Sequence, residues 1–433
     1  MGNYHAAKRG SKYSATNISL SLADRFLLRR SLRIEFILGI LSLAFLASCS
    51  TDDPTTQTAD ILSFEEILQT QLIEAQPGDV IEVPAGTHDF TRSLSLNVSG
   101  VTLRGAGIDE TILSFKNQVQ GAEGLLVSAD NFIMEDMAIE DTIGDALKIN
   151  QSTNVTLRRI RTEWTNGPDS KNGAYGIYPV QSKNILIEDS VAIGASDAGI
   201  YVGQSSQIIV RNSRAEYNVA GIEIENSTHA DVYNNIATNN TGGILVFDLP
   251  NLPVQGGRAT RIYNNLIFEN NTANFAPIGN IVANVPAGTG LIILANDNIE
   301  VFENQFTDNE NVNIMIYSYV LSGRTVSDPS YDPYPEQIYI HDNEFIGGGT
   351  TPRHPMLIPL ARATGDVIPN IAWGGLVKEG ASRENIVCLG TDVDVSFVNL
   401  NGGLSPEDAS FETVEHQCIL PRLAKIEFQI PGD

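Results

Sequence analysis

Two glutamates one residue apart, Glu223 and Glu225 in GIEIENS, stand in a run of alternating apolar side chains. Alternation sends residues i and i+2 to one side of an extended strand, so the two carboxylates share a face, roughly 6–7 Å apart. Such a pair can do acid–base work on a glycosidic bond, one carboxyl giving a proton while the other takes one. The same oxygens suit part of a Ca²⁺ shell, which needs about six to eight ligands, more than the pair supplies. The sequence GIYVGQS, just upstream, repeats the pattern with Tyr201 where Glu223 stands. Asp197, just before that copy, offers a third carboxylate as base or ligand. Tyr178 in GIYPVQS and Lys148 in ALKINQS hold the same place in the preceding copies.

Lys148, Tyr178, Tyr201 and Glu223 are thus the candidate catalytic residues, a cation, two phenols and an acid on stacked strands. Candidates for holding a substrate are Trp164, Lys171, Tyr175, Asp197, Glu225, Phe247 and Tyr317, since aromatic rings beside carboxylates suit sugar rings. Asp197, Glu223 and Glu225 are the candidate calcium ligands. A solvated polar strand face, with no chemistry at all, uses the same residues.

What would position them is a repeat. Aligned on glycine, GIYPVQS at Gly176, GIYVGQS at Gly199, GIEIENS at Gly221 and GILVFDL at Gly243 follow one another at an almost constant interval. A second alternating run follows each copy, as in NILIEDS, QIIVRNS, TRIYNN and IYIHDNE. Period-two alternation and the absence of helical spacing exclude helical repeats. The reading is an all-β chain, a single-stranded right-handed parallel β-helix with three strands per coil and about 22–23 residues per coil. Ile200, Val202, Ile222 and Ile224 point inward, and Asn235, Asn265, Asn304 and Asn343 recur at one corner as a structural amide ladder. The apolar spacing of Phe64 to Ala75 predicts a helix that caps the first coil.

Extra residues enter the repeat around one strand only: Thr162 to Ala174 and Thr272 to Thr289 before it, Asp248 to Ala259 and Ser318 to Glu336 after it. Insertions on one side of a solenoid mark its working face, so they are expected to wall a groove floored by the outward residues.

The net charge is −25, but the segment 1–48 holds seven basic against two acidic side chains, so the remainder carries −30. A polyanion of that size argues against nucleic acid as a partner, and disfavours a uronate polymer unless a cation intervenes. The basic leader precedes FILGILSLAFLA and then Leu46-Ala47-Ser48-Cys49, which resembles a bacterial lipobox. This implies a signal peptide over 1–48, lipidation (palmitate included) at Cys49, a tether over 49–60 and a place at the outer membrane. The β-helix with its N-terminal cap is expected over 61–349 and a C-terminal cap over 350–433, closed by a disulfide between Cys388 and Cys418.

The segment GDVIEVPAGTHDFTRSLSLNVSGVTLRGAGIDETIL, Gly78 to Leu113, resembles the entry coils of pectate-lyase-like β-helix proteins. With the repeats, the chain is similar to exported members of that superfamily, which includes polysaccharide lyases and mannuronan C5-epimerases. The resemblance implies a polysaccharide ligand. The epimerases' Asp-Pro-His motif is replaced by Asp332-Pro333-Tyr334, so no catalytic residue carries over. Two functions follow: a glycan-binding or accessory lipoprotein working with an exported partner protein, or a lyase or C5-epimerase acting on a uronate polymer.

Overall fold

The computed structural model describes residues 62–429, apart from Asp366, residues 392–394 and Leu404. The basic leader, Cys49 and the tether lie outside the described residues. Strands of each repeat stack in parallel on those of the next, in one sheet of 11 strands and another of 19. The smaller sheet carries the Gly-Ile strands, among them Tyr175–Val180, Ala198–Gly203, Ala220–Glu225, Gly242–Phe247, Thr289–Leu294 and Val312–Tyr317. Register follows the sequence alignment: Ile200 pairs Ile222, which pairs Ile244, and Tyr201 pairs Glu223, which pairs Leu245. Ile200, Val202, Ile222 and Ile224 are fully buried in one continuous apolar column. Each such side chain contributes about 1.5–3 kcal/mol by leaving water.

Buried polar corners hold the coils together. Asn235 Oδ1 accepts the backbone N–H of Ser213 from the coil below at 2.9 Å. Its amide nitrogen donates to Val210 O and to Asn265 Oδ1, and its backbone N–H donates to Asn265 Oδ1 at 2.9 Å. Asn265, Asn304 and Asn343 continue the series. A second ladder, Asn218, Asn240, Asn270 and Asn309, runs at the corner before the Gly-Ile strands. This ladder explains the repeating glycine. A Cβ on Gly199 would fall 2.5 Å from the Asn218 amide nitrogen, and one on Gly221 would fall 2.7 Å from that of Asn240.

The helix Phe64–Glu74 caps the first coil, started by a reciprocal capping box between Ser63 and Glu66. At the other end the solenoid runs beyond residue 349. Ile371–Trp373 stacks on Ile314–Ile316, and Phe397–Asn399 stacks on it in turn. The repeat fades from the sequence there because the connecting segments lengthen and include a helix, Leu357–Thr364. Cys388 and Cys418 form the expected disulfide. From there the chain doubles back as a strap over the larger sheet. Leu423 N–H donates to Glu300 Oε2 at 2.9 Å, Ile426 N–H to Asp231 Oδ2 at 3.2 Å, and Ile426 packs on outward-facing Leu186 and Ile209.

Candidate functional site

The outward column of the smaller sheet changes character halfway along. On the N-terminal coils Lys148 and Tyr178 are half-exposed. From Tyr201 onward the column is covered: Tyr201 is 3% exposed, Glu223 1%, and Leu245, Ile292 and Met315 not at all. The cover over Tyr201, Leu245 and Ile292 is made by three of the insertions, while Met315 packs with Leu357 and Leu360 of the helix Leu357–Thr364. Tyr331 of one donates its hydroxyl to the Asp248 carbonyl of another at 2.5 Å, and Gln255 donates to Asp328 at 2.7 Å. Arg324 reaches the carbonyl of Asn280 on the third at 3.2 Å. Leu249, Val282, Val285 and Tyr319 from these loops pack on Leu245, Phe247, Ile292 and Leu294. The loops therefore roof the C-terminal half of the face, where the sequence reading expected them to wall an open groove. Apolar outward residues are what a roofed sheet needs.

This corrects several assignments. Phe247 is 1% exposed beneath the roof and meets no solvent. Trp164 does not close over the face; it is buried in the main core, its indole N–H donating to Thr142 O at 2.8 Å. Lys171 is exposed on its insertion, outside the cleft described below. Tyr317 stands against the His354 ring at 5.8 Å, and burial raises its phenol to about 12.

At the edge of the roof a cleft of about 410 Å³ remains. Asp197, Glu223 and Glu225 lie in its lining with Tyr175, Tyr319, Asn280 and the apolar Leu249, Leu252 and Ile281. The three carboxylates that the repeat spacing set near one another thus meet in one cleft. Asn280, Leu249, Leu252, Ile281 and Tyr319 escaped the sequence reading, because they sit on insertions to which the repeat assigns no register.

Each carboxylate is held differently. Glu225 Oε1 accepts the Tyr201 hydroxyl at 2.7 Å. The ring of Tyr201 lies along its own strand to make that bond, across Gly203, where a Cβ would come 2.2 Å from the hydroxyl. Asp197 Oδ2 accepts from Asn280 Nδ2 at 3.2 Å. Glu223 has no partner on either carboxylate oxygen. Burial, and then the nearby Glu225 and Asp197, hold the Glu223 carboxyl well above the ordinary glutamate range. Burial also raises Asp197 and Glu225, each to about 7. A charged group that is neither hydrated nor paired is costly, so the proton stays on.

Beside the cleft, the rings of Tyr175, Tyr178 and Tyr201 form a cluster with centroids 4.4 to 5.0 Å apart. Burial lifts the Tyr178 phenol to about 12 and holds those of Tyr175 and Tyr201 well above the ordinary phenol range, so none is a base near neutral pH. Lys148 lies 5.0 Å from the centre of the Tyr178 ring and within 3.9 Å of both Glu123 and Asp145. Its charge is already matched by these two acids. Among the described residues no three His, Cys, Asp or Glu side chains form a group able to hold a metal ion. Asp197, Glu223 and Glu225 as placed are thus not the calcium shell that their spacing suggested.

Comparison with known proteins fits this architecture. Residues 97–259 match the family described as right handed beta helix region. No curated protein matches the chain by sequence. Among solved structures, the catalytic unit of an alpha-1,3-glucanase from Streptomyces thermodiastaticus is 14% identical, with a TM-score of 0.50 over 76% of this chain and 56% of that one. A mannuronan C-5 epimerase A-module from Azotobacter vinelandii is 17% identical, with a TM-score of 0.49 over 72% and 85%. An alginate lyase from Paenibacillus is 15% identical, with a TM-score of 0.38 over 66% and 96%. At 14% identity the likeness to the glucanase is one of fold.

Proposed function

Taking the chain as a right-handed parallel β-helix protein, we propose that it binds a polysaccharide at the Glu223 cleft, as a glycan-binding lipoprotein of the cell envelope. The observation that carries this reading is a cleft in which a buried carboxyl without a partner lies among two further carboxyls, an amide and aromatic rings. Hydroxyl-rich rings offer donors to such acceptors and apolar faces to tyrosines. A fold shared with an alpha-1,3-glucanase is one able to seat a glucan, which supports the reading by analogy of fold. Lipidation at Cys49 would tether the solenoid to the outer membrane and leave an exported partner free to act on the same glycan.

The open coils ahead of the roof, with Lys148 and Tyr178, would receive the rest of the chain, so the ligand enters from the N-terminal side. Glycan-array binding by the full chain tests the reading. Retention of oligosaccharides by the parent, lost in Glu223→Ala and Asp197→Ala variants that still unfold cooperatively, is the expected result. An array on which no glycan is retained would reject it.

A second reading, an acid-catalysed enzyme, is favoured by one feature: burial holds the Glu223 carboxyl well above the ordinary glutamate range, beside two carboxyls raised to about 7. Glu223 would protonate a leaving glycosidic oxygen, with Asp197 or Glu225 as the partner base. The uronate form of this reading loses support, because the cleft lining contains no Lys, Arg or His to neutralise a substrate carboxylate. Chromatography of oligosaccharides after incubation separates the two: shortened products would establish the enzyme, and intact ligand the binder.

A further inference from the structure

Resting on the polysaccharide reading above, we infer that the Glu223 cleft selects a glycan bearing a protonated primary amine, a hexosamine, over uronates and N-acylated sugars. The inference starts from the imbalance of charge. Three carboxyl groups meet in one cleft, and no lining residue is cationic. The nearby guanidinium of Arg324 is turned to the carbonyls of Gly279 and Asn280 on the roof. Lys148 is engaged by Glu123 and Asp145 on the coils below. The polar groups lining the cleft, Tyr175, Asp197, Glu223, Glu225, Asn251, Asn280 and Tyr319, are acids or neutral.

Two things can relieve such a cluster, protons or a bound cation. A metal ion needs several oxygens converging on one point, and these side chains do not form such a group. An ammonium is less demanding, because it needs no closed shell of oxygens: one or two charge-assisted hydrogen bonds of ordinary length hold it. Neither oxygen of Glu223 has a hydrogen-bond partner, while Asp197 and Glu225 each keep a second oxygen beyond the bonds to Asn280 and Tyr201. The remaining walls decide between a free amine and an amino sugar. Tyr175, Tyr319, Leu249, Leu252 and Ile281 present apolar surface for one face of a pyranose ring. A polyamine would leave that surface uncovered. N-acetylation would replace the ammonium with a single neutral N–H, and a uronate would set a fourth carboxylate against three.

The test is calorimetric titration of the full chain with a glucosamine tetrasaccharide, its N-acetylated counterpart, a galacturonate tetrasaccharide, spermidine and Ca²⁺. The glucosamine oligomer is expected to bind at least about tenfold tighter than any other titrant, as charge-assisted hydrogen bonds are worth roughly 1.5–3 kcal/mol each. Glu223→Gln, which keeps the shape and removes the charge, should erase about tenfold of that preference, read as the ratio of amine to N-acetylated affinity within the same variant. Equal or tighter binding of the N-acetylated or uronate oligomer overturns the inference while sparing the polysaccharide reading. Tighter binding of spermidine overturns the sugar, and tighter binding of Ca²⁺ overturns the amine. If no oligosaccharide binds, both readings fall together.

Discussion

Two sets of buried polar groups lie within a few coils of each other, and they are treated in opposite ways. At one corner Asn235, Asn265 and Asn304 are buried with each amide nitrogen bonded to a carbonyl of the coil below and to the next amide above. On the smaller sheet Glu223 is as deeply buried and has no bond to either oxygen. The ladder costs nothing in unmet hydrogen bonds and so stabilises the stack. The carboxyl is left wanting a partner that the chain itself does not supply. Satisfied burial marks architecture in the ladder, whereas Glu223, unlike other buried side chains without a bond such as Asn296, lines a cleft.

The sharpest way to break the contrast is to damage the satisfied set. Asn265→Ala strips partners from the Asn235 amide, the Asn235 backbone N–H and Val232 O at once. A loss of about 3–5 kcal/mol in urea unfolding is expected, with glycan binding retained by the folded fraction. A loss under about 1 kcal/mol would mean that the ladder adds little to the stack.

The unsatisfied set should show itself through pH. Asp197 and Glu225 hold protons more tightly folded than unfolded, since both rise to about 7, and Glu223 does so more strongly still. For acids raised in this way, the contribution to stability is full below their unfolded values and is lost as pH climbs toward the folded ones. As pH rises above the ordinary glutamate value of about 4.3, the parent should therefore lose stability more steeply than Glu223→Gln does. Asp136 and Glu300, both lowered by their hydrogen-bonded partners, act in the opposite sense at lower pH and cancel in that difference. Parallel pH curves for the two proteins would contradict the account.

The smallest effect sharpens the border between the sets. Tyr201→Phe removes the phenol's hydrogen bond to Glu225 and should cost about 1 kcal/mol of stability, while raising the carboxyl further because its charged form loses a donor. Stability unchanged within a few tenths would show that the hydroxyl prefers another acceptor.

The residues that write the fold could be read because their constraint is local and periodic. An isoleucine at every second position and a glycine once per coil place a side chain inward or outward and on a given coil, whatever surrounds it. That is why Tyr201, Glu223, Glu225 and Asp197 come together as their spacing says. The same logic is silent on what lands upon the face. Phe247 and Tyr317 point outward as expected, yet Val282, Tyr319 and Tyr331 from non-repeating loops cover that half of the sheet. Only the turn from Glu223 to apolar Leu245 hinted at a roof, since an exposed strand seldom carries a leucine, an isoleucine and a methionine in one column. The strap was hidden for the same reason: outward Leu186 and Ile209 are covered by Ile426, which comes from the far end of the chain. Trp164 was misplaced because an aromatic in an insertion looks available until its indole finds a carbonyl in the core.

The most direct measurement is a carbon-13 titration of the Glu223 side-chain carboxyl, with and without the glucosamine tetrasaccharide. The account predicts a carboxyl that stays neutral above the ordinary glutamate range in the free protein and ionises when the oligosaccharide is added. A carboxyl that titrates in the ordinary glutamate range and does not respond to the oligosaccharide would contradict it.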